Sequence, residues 1–499
     1  MKFFLKPADP AKLDVDVMIS FCWEEDLSKF TPFPSELSKD IKEAAVKEHF
    51  TGSVDQVLVI SSHGLIGAYK LICVGLGDKG NFNIYNLYTS IARGVKKAQE
   101  IKAVKVAVNI NNDLWMKKFT TNTVAQVIVE ASTLSAYKFL KYKSEEEKKK
   151  ERALEEVILS LPANKIAAAE EGIRVGKIVS EAVIFARDLI NEPAEVTSPS
   201  YLSQIAEDLA KDSKGAVKVK ILEKEEVEKF GMGAFLGVAA GSDKPPKFIR
   251  LSYRLTNPKK KIVLIGKGIT FDTGGLSLKT PEFMETMKSD MSGAAGVLAV
   301  FKALSLLKPK VEVVGLIPAC ENMPGGSALK PGDILHAMNG KTIEVLNTDA
   351  EGRLTLADAL SFALSREKPD EIIDIATLTG ACIVALGQEI AGMWGNDDKL
   401  MTEIEDAAIV SGERIWRMPL AKDYKELLKS HIADIKNVQT GRFAGAIAAA
   451  LFLSEFVGKT PWVHLDIAGP AYVEKDTPLT PQGGAGFGVR LLLNFLLNK

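Results

Sequence analysis

Six apolar runs in the second half of the chain constrain its fold most tightly: Val217–Leu222, Phe248–Tyr253, Lys261–Ile265, Val311–Ile317, Glu371–Ile375 and Trp462–Ile467. Each has strand length, and several are apolar at nearly every position. Between them lie stretches with helical apolar spacing, such as Ser292–Leu307 and Ala444–Phe456. A strand that is apolar on both sides must be covered on both faces, so the pattern predicts an α/β domain whose sheet is packed between helices. Ligands of such sheets bind at the carboxyl ends of the strands. The chemistry is therefore sought there.

A smaller α/β pattern precedes it. Asp14–Phe21, Gln56–Ser62, Lys70–Val74 and Val104–Ile110 read as strands, and Ile84–Gln99 and Asn122–Phe139 as helices. Gly75-Leu76-Gly77-Asp78-Lys79-Gly80 matches the G-x-G-x-x-G of dinucleotide sites, but no convincing ribose-binding acid follows, so the glycines are read as shaping a tight turn. Lys141–Arg152 is the sharpest change of composition and is read as the domain boundary, with Glu145–Lys149 and Glu146–Lys150 spaced to pair on an exposed helix. Ala167–Leu189 then reads as a long helix that stops at Asn191-Glu192-Pro193. A chain of 499 residues is too long for one core. Its 63 basic and 64 acidic side chains leave a net charge of -1, which argues against nucleic acid or a membrane surface as partner. Met1–Pro7 is too short for a signal peptide and no run reaches the length of a membrane span, so a cytoplasmic protein is expected. Cys22, Cys73, Cys320 and Cys382 sit apart in apolar surroundings and are read as buried thiols, not as disulfides or zinc ligands.

At the strand ends, Lys261–Ile265 runs into a segment carrying Lys267, Asp272, Gly274-Gly275 and Lys279. Asp290 follows at a helix start. Asn347-Thr348-Asp349-Ala350-Glu351-Gly352-Arg353-Leu354 lies between a strand-like run, Lys341–Leu346, and a helix-like one, Leu354–Leu364. Each residue alone has a plain reading: Lys267 on the surface, Asp272 in a turn, Asp290 and Asp349 as helix caps. Together Asp272, Asp290, Asp349 and Glu351 need positive charge to sit side by side. Two divalent cations would balance them, and two metals about 3.5–4 Å apart activate a bridging water and clamp a hydrolytic transition state. This predicts a hydrolase. The five histidines, His49, His63, His336, His431 and His464, form no H-E-x-x-H, and His464 is read as a core residue. Oxygen-rich ligation suits magnesium or manganese, and zinc also accepts carboxylates. Neither G-x-S-x-G nor a P-loop is present.

The octapeptide Asn347–Leu354 resembles the signature of the cytosolic leucine aminopeptidase family. Further blocks resemble that family in the same order: Ala186–Pro193, Gly266–Gly275, Ser289–Ala295, Ala376–Ala381 and His464–Pro470. The resemblance implies a small macro-like N-terminal α/β domain over residues 1–140, a charged linker or helix over 141–165, and a C-terminal α/β/α metallo-exopeptidase domain with a central mixed sheet over 166–499. It implies that Lys267, Asp272, Asp290, Asp349 and Glu351 hold two divalent ions, manganese or zinc, with Asp272 and Glu351 bridging both. A ligand lysine must be neutral, so the ions must depress its pKa far below the ordinary ~10.4. In the family's scheme Lys279 polarises the peptide carbonyl, and Arg353 holds a bicarbonate that acts as general base on the bridging water.

By the same resemblance, Met287, Asn347, Ala350, Thr377, Leu378, Gly380, Ala468 and Ala471 bind substrate. They would form an apolar pocket suited to leucine and other aliphatic residues. Some members of the family carry a bulkier residue where this chain has Ala471. The substrates implied are peptides read from a free amino terminus, and the assembly implied is a homo-hexamer. Two other readings stand beside this one. The first is a DNA-binding architectural role, known among bacterial relatives alongside catalysis, which the near-neutral charge disfavours. The second is a two-metal phosphohydrolase, for which Lys279 and Arg353 are the only basic groups at hand.

Overall fold

The structure, a computed structural model, describes residues 1–7, 9–24, 33–110, 113–150 and 154–499; Glu151 and Arg152, the end of the predicted charged run, lie outside the described residues. The chain divides into two compact units, residues 1–181 with 475–481, and residues 182–474 with 482–499. The division falls inside the helix Ile166–Asn191.

The first unit is built on six strands, β1 (Lys2–Lys6), β2 (Val15–Cys22), β3 (Val57–Ser61), β4 (Ala68–Gly75), β5 (Lys105–Asn109) and β6 (Glu156–Ser160), in the order β1-β6-β5-β2-β4-β3. Neighbours run parallel except β3 and β4. The strands and helices expected from the pattern are present, and β1, β6 and the helix Ser35–Lys47 join them. The segment 141–165 is thus not all linker, because β6 pairs with both β1 and β5. Its apolar core, Val157-Ile158-Leu159, is too short to stand out beside the charged run. That run forms a short exposed helix, Glu145–Lys150, whose ion pairs are Lys148–Glu145 and Lys150–Glu147, three residues apart rather than four. The Gly75–Gly80 glycines serve the chain's own turns: a Cβ on Gly75 would lie 2.0 Å from the Ser53 carbonyl oxygen, and Gly77 has φ +71°.

The second unit carries a nine-stranded mixed sheet. Its strands are β7 (Val217–Leu222), β8 (Lys247–Tyr253), β9 (Lys261–Gly266), β10 (Gly268–Asp272), β11 (Glu312–Asn322), β14 (Glu371–Ala376), β15 (Ala391–Gly395), β16 (Ile415–Arg417) and β18 (Trp462–Asp466). The order is β16-β15-β18-β14-β9-β11-β8-β7, with β10 continuing alongside β11. The four middle strands, β18, β14, β9 and β11, are parallel, while β8 and β15 run antiparallel to their inner neighbours. A separate small sheet joins β12 (Ile334–His336), β13 (Thr342–Glu344) and β17 (Ile435–Lys436), so the strand predicted before the octapeptide lies outside the central sheet.

Both faces of the large sheet are covered. On one face a Cβ on Gly315 would come within 2.6 Å of the Phe301 ring, so the glycine lets helix Ser292–Leu307 lie close. On the other, Val263, Ile265, Val314 and Leu316 pack with Leu354, Leu360 and Leu451 from helices Gly352–Phe362 and Gly445–Ser454. Each such side chain contributes roughly 1.5–3 kcal/mol by leaving water. The helical run Pro281–Leu307 is long and apolar enough in composition to cross a membrane, contrary to expectation, and most of it is buried inside the unit. All four cysteines are buried.

From β9 the chain passes to β11 on one side and later to β14 on the other. The carboxyl ends beside β9 are therefore a topological switch point, the place where sheets of this kind bind ligands.

Candidate metal centre

Lys267 is the single residue between β9 and β10. Its backbone N–H donates to the Ile375 carbonyl at the end of β14 (3.1 Å), and its carbonyl accepts from Ala294 N (2.9 Å). The buried side chain places Nζ 2.7 Å from Asp290 Oδ2 and 2.8 Å from Glu351 Oε1, and donates to the Thr377 carbonyl at 2.9 Å. Asp272 closes β10. Its Oδ1 accepts from Gly274 N (2.9 Å) and Asn322 Nδ2 (2.8 Å), and its Oδ2 lies 2.9 Å from Lys279 Nζ. Lys279 also pairs with Asp349. Asp290, in the tight turn Met287–Met291, accepts from Thr377 Oγ1 at 2.7 Å. The sheet edge and the turn thus bring all four predicted carboxylates and both lysines together, from three separate segments.

The plain readings of these residues fail for the most part. Helix Ser292–Leu307 begins after Met291 and helix Gly352–Phe362 after Glu351, and neither start is capped by a side chain. Asp290 and Asp349 are not caps. For Asp272 the turn reading holds for Oδ1 and leaves Oδ2 for the cluster. The helix after Glu351 must open on a glycine: a Cβ on Gly352 would lie 2.5 Å from Lys267 Cε and 2.7 Å from its Nζ.

The cluster has the donor set of a cation site. Carboxylate oxygens of Asp272, Asp290 and Glu351, all buried, lie within 4.8 Å of one another. Glu351 Oε2 is buried with no hydrogen-bond partner, and Asp290 Oδ2 and Asp349 Oδ1 meet a lysine ammonium by proximity without hydrogen-bond geometry. Buried acceptors of this kind call for a positive partner. Burial, then mutual repulsion, pushes the Glu351 and Asp349 carboxyls above the ordinary range, and burial does the same to Asp290 against the pull of Lys267. Burial alone would lower Lys267 and Lys279, but the surrounding carboxylates outweigh it and raise both. Every direction is that of a buried cluster with an excess of negative charge.

Arg353, one turn along, is buried. Its Nη1 donates to the Asn437 carbonyl (2.9 Å), while Nε has no partner. Burial lowers the guanidinium to about 10 against the pull of Glu351, Asp466 and Asp349, so it remains a cation at neutral pH. Of the expected substrate-binding residues, Met287, Asn347, Thr377, Leu378 and Ala468 are half-buried, Gly380 is exposed, and Ala350 and Ala471 are closed off from solvent. Thr377 also belongs to the cluster, through its contacts with Lys267 and Asp290.

Four supporting residues were not singled out from the sequence. Asn322 Nδ2 donates to Asp272 Oδ1 and to the Thr348 carbonyl (3.0 Å). Thr348 Oγ1 donates to the Gly274 carbonyl (2.6 Å) and accepts from Ser277 N (2.8 Å). Asn437 donates to the carbonyls of Asn347 (2.7 Å) and Ala350 (3.3 Å) and accepts from Leu346 N (2.9 Å), pinning the octapeptide from both ends. Asp466 closes β18 and gathers the chain leaving β14. No local spacing marks Asn322 or Asn437; their partners lie 26 to 91 residues away along the chain.

Comparison with known proteins places this architecture. Residues 184–493 match the pattern of the cytosol aminopeptidase family, catalytic domain, and residues 21–146 that of the same family's N-terminal domain. A probable cytosol aminopeptidase of Persephonella marina is 44% identical over 490 residues, covering 97% of this chain and 97% of its own. Among solved structures, a substituted form of tomato leucine aminopeptidase superposes with a TM-score of 0.89 at 34% identity, covering 100% of this chain and 97% of the other. The bottromycin maturation enzyme BotP in complex with manganese gives 0.83 at 31% identity, covering 97% and 99%. The chain belongs to the cytosol aminopeptidase family and carries both of its domains.

Proposed function

We propose that this chain is a metal-dependent aminopeptidase that removes N-terminal residues from peptides, with leucine and other aliphatic residues preferred. The observation that carries the reading is the buried carboxylate cluster, in which Glu351 Oε2, Asp290 Oδ2 and Asp349 Oδ1 have no hydrogen-bond donor and beside which two lysines are held cationic. Two divalent ions, manganese or zinc, held by Lys267, Asp272, Asp290, Asp349 and Glu351, would supply Lewis-acid polarisation and a nucleophilic water at neutral pH.

The chain's own groups do the rest. Lys267 gives one N–H to the Thr377 carbonyl, so on losing its proton it keeps that bond and aims a lone pair at the space between Asp290 and Glu351. Lys279 stays cationic and half-open beside Asp272 and Asp349, suited to hydrogen-bond the peptide oxygen as it gains charge. Arg353 is fixed at Nη1 and free at Nε, which suits a planar anion such as bicarbonate acting as general base. Met287, Asn347, Ala350, Thr377, Leu378, Gly380, Ala468 and Ala471 would surround the side chain preceding the scissile bond. A cytosolic location and a homo-hexamer complete the reading, supported by the naming of the relatives and by the family resemblance.

Release of the chromophore from a leucyl anilide in manganese tests the proposal. Turnover by the wild type and its loss in Glu351→Ala are expected. No turnover, or equal turnover in both, refutes it. Sedimentation of the purified chain tests the hexamer.

A further inference from the structure

We infer that Asp466 is a positioning residue for this site: its carboxylate holds the 377–379 segment in the one conformation that lets Thr377 fix Lys267 and Asp290. The inference rests on the aminopeptidase reading and deepens it.

Asp466 ends β18 and is the register partner of Ala376, the last residue of β14. Two parallel strands therefore finish side by side, and the carboxylate of one reaches over the end of the other. Oδ1 accepts from Leu378 N (3.1 Å), Thr379 N (3.4 Å) and Ala468 N (3.1 Å); Oδ2 accepts from Thr379 Oγ1 (2.6 Å). Thr379 Oγ1 in turn accepts from Cys382 N (3.1 Å) and caps the helix Gly380–Leu386. Four donors converging on one carboxylate leave the segment after β14 little freedom. The residue just before it, Thr377, is the one whose carbonyl accepts from Lys267 Nζ (2.9 Å) and whose hydroxyl donates to Asp290 Oδ1 (2.7 Å). Asp466 is 1% exposed, so it cannot touch substrate. Its hydrogen-bonded route to the chemistry runs through Thr377, while its charge also acts on the Arg353 guanidinium.

The bonding pattern separates position from mere burial. In Asp466→Asn the remaining oxygen still accepts from the three backbone N–H groups, and the amide can donate to the Thr379 hydroxyl, which has a lone pair free. In Asp466→Ala all four donors lose their acceptor. Three variants of the full chain, Asp466→Ala, Asp466→Asn and Thr377→Val, are compared with the wild type for leucyl anilide turnover, for binding of manganese alone by calorimetry, and for thermal unfolding. The expected result is a loss of at least 100-fold in kcat/KM and about tenfold in manganese affinity for Asp466→Ala, with Asp466→Asn restored to within about tenfold of wild type in kcat/KM. Thr377→Val, which removes the hydroxyl link to Asp290, keeps the carbonyl link to Lys267 and leaves Asp466 in place, is expected to weaken manganese binding about tenfold. If Asp466→Ala fails to fold, Asp466→Asn and Thr377→Val decide alone. The inference is overturned if Ala and Asn behave alike at position 466, or if Thr377→Val binds manganese as the wild type does. A wild type without turnover counts against the proposed function instead, since manganese binding is measured independently.

Discussion

Asp358 offers a sharp test of the electrostatics beneath the site. It lies fully buried on helix Gly352–Phe362, and no cation pairs with it among the described residues. Its Oδ2 accepts from Phe235 N (2.8 Å) and its Oδ1 from Met338 N (2.7 Å), tying two neighbouring segments to the helix. Burial pushes its carboxyl from 3.8 up to about 7, against the pull of those N–H groups. A carboxyl raised on folding stabilises most when both states are protonated. That contribution declines as pH rises from about 4 to about 7 and is flat above. The span of about 3 units corresponds to roughly 4 kcal/mol. Asp358→Asn cannot ionise, and it leaves one N–H without an acceptor, which costs about 1–3 kcal/mol at every pH. The variant is therefore expected to melt below the wild type near pH 4.5 and above it at pH 8. Roughly 3 kcal/mol of that span falls between the two pH values, so at about 2 °C per kcal/mol for a unit of this size the difference in Tm should swing by roughly 6 °C. Paired thermal unfolding in chelator at the two pH values measures it. An offset of the same sign and size at both would refute the reasoning.

Other perturbations read the cluster itself. Gly352→Ala would press a methyl onto Lys267, which three partners hold in place, so kcat/KM should fall at least 100-fold with the circular dichroism spectrum unchanged. Asn322→Leu removes the donor that orients Asp272, and manganese affinity by calorimetry should weaken 10- to 100-fold. Chelation should lower the Tm: an ion at 100 times its dissociation constant contributes about 2.7 kcal/mol, or roughly 5 °C, and re-addition should restore it.

Much of the molecule was legible in the sequence because strong signals are local. Val263 and Ile265 alternate with Ile262 and Leu264 in one run, which states at once that both faces are buried. β10 was hidden because Lys267 alone separates it from β9, and a run of glycines around it reads as loop. β6 was hidden by its charged neighbours. The clustering of Asp272, Asp290, Asp349 and Glu351 could be argued from charge and from their places at strand ends. The supports could not. Asn322, Asn437 and Asp466 are ordinary in their own stretches, and only the fold shows that they bind backbone many residues away.

The hold of Asn437 on the octapeptide bears on how the protein is made. Every proposed ligand has left the ribosome once residue 351 has emerged, yet the loop carrying Asp349 and Glu351 is tied down by a side chain 90 residues later, and the Thr377 segment by one later still. A nascent or truncated chain ending before Asn437 carries all five proposed ligands but lacks the side chain that ties down the loop holding two of them. The proposed centre is thus tied to a long stretch of chain beyond its last ligand.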